Sequence, residues 1–111
     1  MKELIEAPFA ITTCDTNGNI TGMNNRSTKT FEKYGGKERI GKSLFECHPE
    51  AASAKLRELL ITHQVNAYTI EKNGIKKLIY QCPHFENGEF SGYIELSLEL
   101  PAEMPHYVRK S

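Results

Sequence analysis

Along the last third of the chain, apolar and polar residues alternate with a period of two. Ile94, Leu96, Leu98 and Leu100 interleave with Tyr93, Glu95, Ser97 and Glu99, the pattern of a strand with one face buried and the other wet or set against a partner. The leucine-bearing face reads as the buried one. Upstream, Val65 to Lys72 and Ile75 to Phe85 are further strand-like runs, and Asn73-Gly74 and Asn87-Gly88 separate the three segments. Asn-Gly pairs favour the left-handed backbone of tight hairpin turns, so three consecutive antiparallel strands are expected.

A different period precedes them. Between Glu50 and His63, good helix formers predominate, and Ala52, Leu56, Leu59, Leu60 and His63 recur at offsets of three and four, which predicts the main amphipathic helix. Ser43 and Glu46 have capping-box spacing for a short turn before it, and Pro49 stops or restarts that turn. Nearer the N-terminus, Phe9 to Cys14 and Asn19 to Met23 read as two strands joined at Asn17-Gly18. Asn24 then caps a helix over 27–34 that ends at Gly35-Gly36. The run from Pro101 to Ser111 holds two prolines in its first five residues and has no periodicity. One domain over 1–101 and an extension over 102–111 are expected.

Strands at both ends and helices between them give an α+β class. Composition agrees with a folded domain: of 111 residues, 39% are hydrophobic and 25% charged, close to globular averages. Fourteen basic and fourteen acidic residues cancel, so the chain lacks the net positive field that draws proteins to nucleic acid. No apolar run approaches the roughly 20 residues that span a bilayer. Three widely spaced cysteines and no signal-peptide pattern suit a reducing, cytoplasmic setting better than a disulfide framework.

The candidate chemistry is sparse. Cys47 and His48 are neighbours, but adjacent side chains diverge on a strand and lie about 100° apart on a helix, so adjacency does not build a catalytic dyad. Joined with Cys82 and His84, they would offer two sulfurs and two nitrogens to zinc, without the Cys-x-x-Cys spacing of structural zinc sites. No glycine-rich phosphate loop is present. No catalytic residue and no metal site is assigned.

The order of short motifs resembles the PAS domain family. The resemblance is carried by Ala7-Pro-Phe-Ala-Ile11, Asp15 to Ile20 with Asn24, Phe31-Glu-Lys-Tyr-Gly35, Ile40-Gly-Lys-Ser-Leu44, Glu71-Lys-Asn-Gly74 and Gly88 to Ile94, and it covers about residues 5 to 100. It implies a five-stranded antiparallel sheet with helices over one face enclosing a small pocket. It also implies a sensory or dimerisation module of a bacterial-type regulator, not an enzyme. Phe45-Glu-Cys-His-Pro49 stands where the flavin photosensors of the family carry an Asn-Cys-Arg stretch, which disfavours a photoreactive flavin. Ser97-Leu-Glu-Leu-Pro101 replaces the usual Asp-Ile-Thr ending that leads into a coiled coil.

Two functional readings follow. In the first, a pocket between the main helix and the sheet takes a small ligand, with His48, Leu56, Leu60, His63, Tyr68 and Tyr80 as its candidate lining. The small Ala51, Ala52 and Ala54 leave room beside them. Haem is a candidate because one branch of the family uses a histidine on or near the main helix as axial ligand, a part open to His48 or His63. Alternation groups Tyr68 with Ile70, and Tyr80 with Leu78 and Cys82; either face can be inward. In the second reading the core is filled and the module dimerises through Tyr93, Glu95 and Ser97.

Overall fold

The computed structural model describes residues 2–46 and 48–111. A 3-10 turn (Lys2–Leu4) precedes two strands, β1 (Ala10–Cys14) and β2 (Ile20–Met23), which are followed by a short helix α1 (Asn25–Thr30). Three 3-10 turns (Glu32–Tyr34, Gly36–Arg39 and Leu44–Glu46) lead to the longer helix α2 (Glu50–Thr62). Strands β3 (Asn66–Lys72), β4 (Ile75–Glu86) and β5 (Glu89–Glu99) complete one antiparallel sheet in the order β2-β1-β5-β4-β3. The expected α+β class and the five-stranded antiparallel sheet are both observed.

The turns form for the reasons the sequence gives. Asn73 and Gly74 (φ 53° and 78°) and Asn87 and Gly88 (φ 52° and 81°) place paired positive φ values in the two hairpins, matching the twist of the flanking strands. Between β1 and β2, the Asp15 carboxylate accepts from the amides of Asn17 and Asn19, each at 2.9 Å, an Asx turn. Gly92 is required by packing. A Cβ there would collide with the Cys14 carbonyl of the neighbouring strand.

Asn24 caps α1 as expected and does more. It is fully buried; its Oδ1 accepts from the amides of Ile11 and Ser27, and its Nδ2 donates to the carbonyls of Leu4 and Phe9. One amide side chain thereby joins the N-terminal segment, β1 and α1. The helix expected over 27–34 is instead α1 over 25–30 followed by 3-10 turns. Thr28 and Thr30 donate back to the carbonyls of Asn24 and Arg26, a competing bond that weakens helix continuation, and Gly35 in the left-handed region at φ 108° reverses the chain.

Residues paired directly across an antiparallel sheet share a face, so the register assigns every side chain. Cys14 pairs with Tyr93, Thr12 with Glu95, Glu95 with Gln81 and Gln81 with Asn66; this face meets the helices, since Thr12 bonds Ser27 of α1 and Tyr93 bonds the backbone of α2. Ile94, Leu96 and Leu98 pair with Cys82, Tyr80 and Leu78 on the opposite face, turned away from α1 and α2 and half-buried apart from Tyr80. The expected orientation of the last strand is therefore reversed. Tyr93 is 4% exposed and belongs to the core with Cys14, Ile20, Met23, Phe31, Leu44, Leu56 and Leu59, so it cannot offer its ring to a partner as the sequence suggested. Glu95 and Ser97 share its covered face.

Candidate functional site

Helix α2 is fixed to the sheet at its C-terminal end. The Tyr93 hydroxyl lies 2.8 Å from the Leu59 carbonyl and 2.7 Å from the Gln64 carbonyl, sharing its hydrogen between the last turn of the helix and the residue just past its end. His63, at φ 58°, closes the helix with its amide on the Leu59 carbonyl, and its ring stacks on Phe90 at 3.6 Å between centroids. Phe90 in turn meets Phe85 and Tyr93 edge-on.

Toward its N-terminal half the same helix borders a cleft of about 340 Å³, lined by His48, Ala51, Ala52, Lys55, Leu56, Asn66, Tyr68 and Gln81. This volume is in the range of small-molecule pockets. Ala51 and Ala52 make the space, because a longer side chain at either position would fill it. Leu56 supplies the apolar wall continuous with the core. Lys55 stands at the rim with its ammonium 3.2 Å from Glu58.

The sheet side of the cleft is polar and ordered. Asn66 Nδ2 donates to Gln81 Oε1 at 2.7 Å, and Gln81 Nε2 donates to Glu95 Oε1 at 2.8 Å, a relay crossing β3, β4 and β5. Tyr68 adjoins it, its phenol held above the ordinary range by desolvation and then by the Glu95 charge. It therefore stays a neutral hydroxyl able both to donate and to accept.

Of the residues expected from sequence to bind a ligand, His48, Leu56 and Tyr68 line this cleft. Leu60 packs against the core instead, and His63 is exposed at the far end of α2, stacked on Phe90. Tyr80 is on the face turned away from the helices, paired with Ala67 and Leu96, and is not part of the cleft wall. The His48 ring is 6.5 Å from that of Phe31. Cys47 lies outside the described residues, and with it the Cys47-His48 pair and the four-ligand zinc reading. Among the described residues, no three His, Cys, Asp or Glu side chains are gathered as metal ligands would be, and no helix is long and apolar enough to cross a membrane.

Sequence reasoning missed Asn66, Gln81 and Glu95 as a unit. Each is a polar residue inside a strand, and only the register shows that they stand side by side.

Comparison with solved structures agrees with this architecture. The PAS domain of BvgS from Bordetella pertussis superposes with a TM-score of 0.64 at 16% identity, over 90% of this chain and 82% of that one. The chain has the PAS fold. A sensory box sensor histidine kinase from Vibrio cholerae shares it at a TM-score of 0.62 and 18% identity, covering 90% of this chain and 88% of that one. So does the VqmA dimer protein of Vibrio cholerae, at 0.64 and 19%, where 99% of this chain matches 56% of that one. No family model and no curated protein matches the sequence. In PAS terms, the cleft lies between the long helix and the open edge of the sheet.

Proposed function

We propose that this chain is a sensory module whose signal is a small molecule held in the cleft between α2 and the strands β3 and β4. The observation that carries this reading is the cleft's construction, with alanines and Leu56 on one side and an ordered row of hydrogen-bonding groups on the other. Such pairing of apolar wall and fixed polar groups is what orients a ligand. Its site on β3, β4 and α2 gives binding a direct mechanical route. Closing the cleft draws α2 toward the sheet while Tyr93 holds the helix's other end.

His48 is the one histidine of the described cleft lining, but a space of about 340 Å³ with a polar sheet wall suits a molecule smaller than haem. Native mass spectrometry of the protein purified from its own cells, with an absorbance spectrum, tests the reading. A bound metabolite mass supports it, a Soret band identifies haem, and a protein with no bound mass at any gentleness of ionisation contradicts it.

A second reading concerns the relay of that signal. Leu78, Tyr80, Cys82, Ile94, Leu96 and Leu98 form a contiguous, half-exposed apolar surface on the face turned away from the helices, and surfaces of this kind mark protein contacts. Homodimerisation through this surface replaces the dimer contact that the sequence placed at Tyr93, Glu95 and Ser97.

A further inference from the structure

The relay along the sheet has a direction. An ionised carboxylate has acceptors and no donor, so Glu95 forces the neighbouring amide of Gln81 to turn its Nε2 toward it. Gln81 Oε1 must then point the other way, where only a donor can meet it, and that donor is Asn66 Nδ2. Asn66 Oδ1 is left over. Among the described residues it accepts no hydrogen bond, and Asn66 lines the cleft.

We propose that Glu95, acting through Gln81, fixes Asn66 as an acceptor in the cleft, which selects small uncharged ligands carrying an N–H or O–H donor of the amide class. This inference rests on the cleft being the ligand site. The polarity belongs to the three residues together: neither amide has an intrinsic preference, because both its ends are nearly the same shape. A ligand seated over this acceptor takes it out of water, and one that lacks a donor there leaves it unpaired, which is costly. Tyr68, neutral beside the relay, complements either a donor or an acceptor on the ligand. Lys55, the cation of the lining, already faces Glu58, so a charged ligand group would find no fresh counterion there. The apolar remainder of such a ligand fits against Ala51, Ala52 and Leu56.

Benzamide and acetophenone test this, because they are nearly the same shape and differ in having an amide nitrogen with two hydrogens or a methyl group. Each is titrated into the full chain, following the backbone and side-chain amide resonances by NMR. The expected result is that benzamide binds about tenfold more tightly than acetophenone, the effect of one hydrogen bond, and shifts the Asn66 and Gln81 side-chain signals. Asn66→Ala should reduce that preference to within about twofold. Glu95→Gln should do the same without removing any cleft-lining side chain, since a glutamine at that position accepts either orientation of Gln81. Equal binding of the two probes at the cleft of the wild-type chain would overturn the donor selection and leave the cleft as a site. If neither probe shifts any cleft resonance, the ligand site and this inference fall together.

Discussion

The Tyr93 hydroxyl stands 2.8 Å from the Leu59 carbonyl, and through it the central strand β5 holds the end of helix α2. Removing that hydroxyl takes away the tie between strand and helix and leaves the Leu59 carbonyl with the His63 amide alone and the part-buried Gln64 carbonyl without the phenol. We expect Tyr93→Phe to lower unfolding free energy by about 1–2 kcal/mol in urea titration, with the folded spectrum kept.

The same residue contributes to the alkaline limb of stability. Burial raises the Tyr93 phenol above its ordinary 10.0, with the neighbouring Cys82 and Cys14 adding to the effect. The folded state thus retains a proton that the unfolded chain releases, so the contribution is complete below about pH 10 and is lost as pH rises through the folded-state value. The buried Cys14 thiol, pushed above its ordinary 9.0 by desolvation, starts the fall near pH 9; above pH 10 Tyr93 steepens it, and Tyr93→Phe should flatten that upper part, so equal slopes there in the two proteins would refute the assignment. Tyr68 shifts in the same direction but is half-exposed, so its share is smaller.

Asn24 makes four hydrogen bonds from a fully buried side chain. Asn24→Ala leaves two amides and two carbonyls without this partner and should cost about 3 kcal/mol or more. Amide exchange should rise first in β1 and in residues 4–9. An exchange pattern unchanged there would mean that the N-terminal segment is held by other contacts.

Much of this architecture is legible in the sequence because it depends on local chemistry. The two Asn-Gly hairpins, the Asn24 cap, the main helix near Glu50 and the five strands are each set by residues within a few positions of one another. The orientation of β5 is not. Alternation shows that Tyr93, Glu95 and Ser97 share a face opposite Ile94, Leu96 and Leu98, but which face the helices cover depends on long-range register. The usual preference for burying leucine points the wrong way, because this sheet buries a tyrosine that caps a helix and leaves its leucines half-exposed. Half of the expected cleft follows from the same logic. Tyr68 is inward and Tyr80 outward by register, and His63 leaves the cleft because the helix ends there in a left-handed turn.

The face turned away from the helices predicts its own phenotype. Tyr80→Asp places a charge in the middle of the apolar surface formed with Leu96 and Ala67, where burial against a partner would be unfavourable. Sedimentation at fixed concentration should show the mass fall from dimer to monomer while ligand content stays the same. An unchanged mass would place the contact elsewhere.

Within the cleft, Ala52→Trp should fill the space that the alanine leaves and abolish ligand binding with little change in stability, since Ala52 is only half-buried. Tyr68→Phe should weaken binding by about fivefold to tenfold, read by calorimetry with the ligand that copurifies. Full binding by the Ala52→Trp protein would exclude the cleft.

The most direct test is a high-resolution crystal structure of the protein purified from its own cells with no ligand added. The account predicts ordered non-protein density between Ala52, Leu56, Asn66 and Tyr68. A cleft closed by its own side chains, or density confined to another part of the surface, would contradict it.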